Sequence, residues 1–265
     1  MSKDALAALT KERATVLALA ESLTPQEWAM PSDCAGWRVQ DVIAHMSAVY
    51  KSVGGGTVAS APDAPGDAER NADAGVDERR SWSPADVLAE YAEWSEKGLA
   101  AFAGMNEEPM ASMVIPLGNL GSHPMHILTN AIVFDHYCHL RWDLLAPHGP
   151  LQRPALEVDD ERLVPTMEWM LGGLPQMCES ELAFVDRSVN LVFEGPGGGS
   201  YVLRPGAERT SIEAAHDADA AATVTSNAHE FVCWGTKRRD WRTMDVTVDG
   251  DEAYGAAVLD AINVI

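Results

Sequence analysis

Apolar residues near the start of the chain recur at helical spacing. Leu6, Leu9, Val16, Leu17, Ala20 and Leu23 fall near one face and predict an amphipathic helix over residues 5–22. In "LTPQEW", Thr24 has the chemistry of an N-cap, Pro25 suits the first helical position and Glu27 completes a capping box, so a short second helix follows and stops at "MPSDCAGW". Val39, Val42, Ile43, Met46, Val49 and Tyr50 form the stripe of a third helix over residues 39–53. The next segment, "GGGTVASAPDAPGDAERNADAG", has no periodicity and reads as a long mobile loop. Helical spacing resumes in "SWSPADVLAEYAEWSEKGLAAFA", with Ser83 as cap, Pro84 at the first position and Asp86 in the first turn. After "EEPMASMVIPLGNLGSHP" a further helix is predicted over residues 125–145.

Beyond "APHGPLQRPALEVDD" the pattern changes, and this Pro-containing connection is taken as a boundary between residues 1–150 and 151–265. A helix over residues 160–172 is followed by short alternating segments, "SVNLVFEG", "SYVLRPG" and "RTSIEAA". The intervening "GPGGGS" lacks a Walker lysine and is flanked by strands, so it reads as a hairpin turn and not a phosphate loop. A last strand in "DWRTMDVTVDG" precedes a terminal helix, "DEAYGAAVLDAI". The fold class is α+β: a helical N-terminal domain followed by a smaller α+β domain.

Composition narrows the function classes. With 265 residues, 46% of them hydrophobic, the chain has material for proper cores. Its 40 acidic against 19 basic residues give a formal charge of −21, which repels nucleic acid and anionic membranes alike. The start lacks the uninterrupted apolar core of a signal peptide and no run is long enough to span a bilayer, so the expected location is cytoplasmic. Cys34, Cys138, Cys178 and Cys233 form no CxxC pair, which argues against both a disulfide framework and a thiolate zinc site.

The chemistry concentrates in "FDHYCHLRWDLL". Leu128, Ala131, Ile132, Asp135, Cys138, His139 and Trp142 make a stripe that would face a bundle core, so Asp135 and His139 lie one turn apart on it. Asp143, a turn further, stands where it can accept a hydrogen bond from the second nitrogen of His139. This spacing suits either a plain intrahelical hydrogen bond or two ligands of a metal held in a helical bundle. His45, at the edge of the third helix's stripe, reads either as a core histidine bonded to a carbonyl or as the third ligand. His123, His126 and His136 offer rival sets; His136 points off the stripe towards the surface, and His123 suits a helix cap or a substrate contact. A Cys138–His139 nucleophile fails because adjacent helical residues diverge, and no GxSxG elbow supports a serine triad.

"GWRVQDVIAHM" with the later "PLGNLGSHPMHILTNAIVFDHYCHLRWDL" resembles the DinB-like metalloenzymes, in particular the mycothiol-dependent maleylpyruvate isomerase family. "TVTSNAHEFVCWGTKRR" and "VTVDGDEAYGAAVLDAINVI" are similar to its C-terminal, sterol-carrier-like domain. The resemblance implies a DinB-like four-helix bundle, with His45, Asp135 and His139 as ligands of Zn2+ or another divalent metal and Asp143 behind them. At Asp135 the isomerases have glutamate; the side chain here is one methylene shorter, so the metal sits closer to its helix or binds more weakly. The family's arginines bind anionic parts of thiol or substrate, and Arg80, Arg238 and Arg239 are the positions here.

The function so implied is a zinc-dependent isomerase or S-transferase that uses mycothiol, a low-molecular-weight thiol, on a small electrophilic substrate, as a monomer or homodimer. Fold alone does not fix function. Two other readings remain open: a small-molecule or lipid-binding protein, consistent with the carrier-like domain and 11 methionines, and a zinc-dependent hydrolase on the same bundle.

Overall fold

In a computed structural model the structure describes residues 3–265. The chain divides into two compact units, Met1–Glu157 and Val158–Ile265.

The first unit is built from four long helices, α1 (Lys3–Ser22), α3 (Val39–Val53), α5 (Pro84–Met105) and α6 (Ile127–Cys138), with α2 (Pro25–Trp28), α4 (Ala68–Asp77) and a two-stranded β1 (Val114–Pro116)–β2 (Ser122–Pro124) hairpin attached. The cap chemistry of the sequence is present: Thr24 and Ser83 each receive the N3 backbone N–H and are answered by Glu27 and Asp86, closing two capping boxes. Leu9, Val16, Ile43, Met46, Val87, Phe102 and Val133 are fully buried in one core. Tyr50 meets Tyr91 and Phe102 edge-on, with ring centroids 5.7 and 6.5 Å away, each contact contributing about 0.5–1.5 kcal/mol beyond burial. This packing needs Gly98 on α5, where a Cβ would lie 2.4 Å from Tyr50 Cδ1.

The mobile loop expected from residue 54 onward ends at Asp67, whose carboxylate caps Arg70 N–H and starts α4. Only Gly75 and Val76 of that helix are buried, too few apolar positions to write a period into the sequence. The helix expected over residues 125–145 is α-helical only to Cys138; His139–Leu144 form a π-turn, with Leu145 N–H reaching back to the Leu140 carbonyl at 3.1 Å.

The second unit carries a five-stranded sheet in the order β5 (Ser211–Glu213), β4 (Gly199–Arg204), β3 (Val189–Glu194), β6 (Ala222–Asn227), β7 (Val246–Gly250). All neighbours are antiparallel except β3 and β6, which run parallel. Helices α7 (Asp160–Met177), α8 (Ala228–Trp234) and α9 (Glu252–Ala261) complete it. The "GPGGGS" segment joins β3 to β4 as a hairpin, and its Gly197 N–H is taken by the Asp160 carboxylate at 2.8 Å, leaving no nest for a phosphate. Helix α7 runs past the expected stop at Gly172, through Pro175, because its buried face continues to Leu174. No helix among the described residues is long and apolar enough to cross a membrane.

Candidate metal centre

His45 projects from α3 and Asp135 from α6, while His139 begins the π-turn. One ligand atom from each lies within 4.8 Å of the other two, the one such group of three among the described residues. His45 Nε2 stands 2.9 Å from Asp135 Oδ1, and His139 Nε2 3.5 Å from the same oxygen. Metal bonds of about 2.0–2.2 Å at tetrahedral angles put ligand atoms roughly 3.3 Å apart, so little adjustment separates this arrangement from a ligand set.

The second nitrogen of His139 settles its orientation. Nδ1 lies 2.6 Å from Asp143 Oδ2, and a carboxylate accepts, so Nδ1 carries the proton and Nε2 is left to face Asp135. Asp143 is fully buried and Arg141, in the same turn, reaches Glu12 of α1 at 3.0 Å while lying over the Tyr137 ring. The wider π-turn thus directs one side chain to the site and another to a buried ion pair.

The three groups are electrostatically coupled. Burial by itself pushes the Asp135 carboxyl up, but the imidazoles of His45 and His139 outweigh it and hold Asp135 well below the usual carboxylate range. Burial likewise disfavours the His139 imidazolium, yet the Asp135 charge and the Asp143 hydrogen bond push its pKa up to about 9. Asp135 Oδ2 is buried without a hydrogen bond, since the nearby Nδ1 of His136, 3.3 Å away, is committed to the Ile132 carbonyl. Two imidazole nitrogens, a carboxylate with an unanswered oxygen and a carboxylate behind one imidazole together fit zinc or a similar divalent ion. The side chains of His45, Asp135 and His139 are 12%, 17% and 9% exposed.

The rival histidines are spent elsewhere. His123, on β2 and not at a helix cap, donates from Nε2 to the Leu120 carbonyl, and His126 donates from Nδ1 to the Ala111 carbonyl. His136, expected at the surface, is fully buried: Nδ1 donates to Ile132 O and Nε2 accepts from the Tyr91 hydroxyl at 3.1 Å. The reason is that the buried surface of α6 and the π-turn is wider than one stripe: Ala131, Cys138, His139 and Trp142 of the expected stripe are buried and Leu128, Ile132 and Asp135 half-buried, while Val133, His136, Tyr137 and Leu140 are buried as well. Of the two, His139 is buried and Asp135 half-buried.

Arg80 is outside the group of three; it binds Asp77 and Asp41 and reaches the Gly36 carbonyl at 3.4 Å. Arg238 and Arg239 lie in the second unit, after α8, where Arg239 lines a pocket of about 300 Å³ with Lys237, Trp241 and the Arg242–Asp260 ion pair. Sequence reasoning passed over Trp37, whose ring centroid is 5.1 Å from that of His45 and 6.3 Å from that of His139.

Residues 9–144 match the family described as the mycothiol maleylpyruvate isomerase N-terminal domain. Among solved structures the chain is similar to the mycothiol-dependent maleylpyruvate isomerase, at 13% identity and a TM-score of 0.58. It is also similar to a mutant of that protein, at 12% identity and a TM-score of 0.60. In both cases 94% of this chain and 93% of the other are covered, and at such identity the likeness is one of fold. No curated protein sequence matches the chain.

Proposed function

The chain belongs to the mycothiol maleylpyruvate isomerase family through its N-terminal domain, and from that premise we propose that it is a metal- and mycothiol-dependent isomerase, with S-transfer to an electrophile as the neighbouring reaction. The observation that carries the reading is the convergence of His45, Asp135 and His139, with Asp143 holding the far nitrogen of His139. In the proposal these three side chains hold a divalent ion, zinc by donor chemistry, and leave a further coordination position open.

When bound, such an ion lowers the pKa of a thiol that enters its open position, so that a thiolate is available near neutral pH. The residues of this chain do the rest. His45 and His139 supply neutral nitrogens, Asp135 supplies the negative charge, and Asp143 keeps His139 in the tautomer whose Nε2 lone pair faces inward. Asp135, despite its short side chain, already brings Oδ1 within 2.9 Å of His45, which supports the same role for it as for a glutamate. For the anionic groups of thiol and substrate the proposed cations are Arg80, Arg238 and Arg239, on the family resemblance alone.

The test is turnover of maleylpyruvate by the zinc-loaded protein with and without mycothiol. The proposal expects isomerisation only when both are present and its loss in His45→Ala. Turnover that is indifferent to thiol would instead favour hydrolysis at the same site.

A further inference from the structure

The turn that leads into α3 is pinned at several points. Gly36 adopts φ +80°, a conformation that favours glycine, and turns the chain so that the next residue points inward. The Trp37 carbonyl accepts from the backbone N–H and the hydroxyl of Ser32, at 2.9 and 2.8 Å, and its own N–H donates to the Cys34 carbonyl at 3.0 Å. Asp33 N–H, in the same turn, donates to the backbone carbonyl of Asp143 at 3.0 Å. The Trp37 side chain is thereby delivered, 8% exposed, beside both imidazoles. Its plane is within 27° of that of His139 and tilted 46° to that of His45, and the two imidazoles meet edge to face at 5.1 Å. The one polar atom of the indole, Nε1–H, donates to Asp73 Oδ1 on α4 at 3.1 Å. Helix α4 is itself tied down at its start, where Ala68 N–H donates to the Asn119 side chain at 3.0 Å.

We infer that Trp37 is a positioning residue that holds the His45 and His139 rings in their metal-binding orientation, and that Asp73 on α4 sets the position of Trp37. The inference rests on the metal reading proposed above. His139 has a second restraint in Asp143, so the larger burden falls at His45, whose ring centroid is 5.1 Å from that of the indole. The "GW" pair then has a physical role: the glycine makes the turn and the tryptophan is the flat wall against which the ligands are set. It also gives α4, a helix with little buried surface of its own, a direct connection to the metal centre.

Cobalt(II) binding to the full chain, followed by titration and by the visible absorption of the bound ion, tests this without recourse to activity. Loss of an outer partner of a metal ligand weakens affinity about 10–100-fold, and that is the effect expected for Trp37→Leu. Asp73→Ala is expected to weaken binding about tenfold by the same reasoning and to alter the cobalt spectrum. Asp73→Asn keeps an acceptor for the indole N–H and should stay close to wild type. Phe102→Leu, in the bundle core away from the site, is the control: it lowers Tm but leaves cobalt affinity unchanged. Wild-type affinity in both Trp37→Leu and Asp73→Ala overturns the inference, as does an equal loss in Phe102→Leu. Failure of the wild-type protein to bind cobalt overturns the metal reading itself, a different result from equal binding by all variants.

Discussion

The histidines separate by what their second nitrogens do. His123, His126 and His136 each give an N–H to a backbone carbonyl, whereas His139 gives one to a carboxylate and keeps its other nitrogen towards Asp135. Removing that carboxylate leaves a buried imidazole N–H unanswered and the ring free to turn. Asp143→Ala is therefore expected to weaken zinc affinity by about 10–100-fold with the three ligands intact, measured by calorimetric titration; unchanged affinity would detach Asp143 from the centre. The Asp135, His139 and Asp143 spacing was legible in the sequence because i, i+4 pairs meet on a helix whatever it packs against. The burial of His136 was not, because an apolar stripe marks one buried face and nothing local tells that α6 turns a second into the bundle. Trp37 was equally hidden, since its neighbours at the site come from α3 and the π-turn, with its anchor on α4.

Between α3 and α5 the bundle is clamped by a buried ionic cluster. Glu90 accepts from Nε and Nη2 of the Arg79 guanidinium, from Lys51 at 3.1 Å and from the Ser47 hydroxyl at 2.9 Å. Breaking such a pair strands a buried charge, and Glu90→Ala is expected to cost about 3–5 kcal/mol in denaturant unfolding. Burial pushes the Glu90 carboxyl up, but the bonds from Arg79, Lys51 and Ser47 outweigh it and leave the pKa below its ordinary value. Its contribution is thus fully present above the ordinary carboxylate pKa and is lost as pH falls through the lowered one. Wild type should lose stability towards acid more steeply than Glu90→Gln; parallel pH profiles would contradict this. Gly98→Ala, pressing a methyl into Tyr50, should cost about 1–3 kcal/mol, against the stabilisation expected of that change in an open helix. Helices with capping boxes and regular stripes, α2, α3 and α5, were legible in the sequence. The elements it hid are those whose order depends on distant partners: α4, held through Asp73 and Asn119, and β6, a short strand with Val224 as its one large apolar residue, which gains its place by lying parallel to β3.

At the scale of the molecule, a formal charge of −21 sets the background against which both units fold. Self-repulsion of that size is screened by salt, while the buried pairs Glu12–Arg141 and Arg79–Glu90 are not. Tm at neutral pH should rise as sodium chloride is raised from low to physiological strength; a fall would mean that exposed ion pairs outweigh the repulsion. The same excess of carboxylates favours approach of a cation, although it does not select a site. The residues proposed to select it are His45, Asp135 and His139; the α+β architecture is legible from the change of pattern along the chain, and its helical domain belongs to the family through residues 9–144. The most direct measurement is elemental analysis of the purified protein beside Asp135→Ala and His139→Ala. About one zinc per chain is expected in the wild type, with its loss in both variants. Metal-free wild type after zinc is supplied and excess removed, or equal zinc in all three proteins, would contradict it.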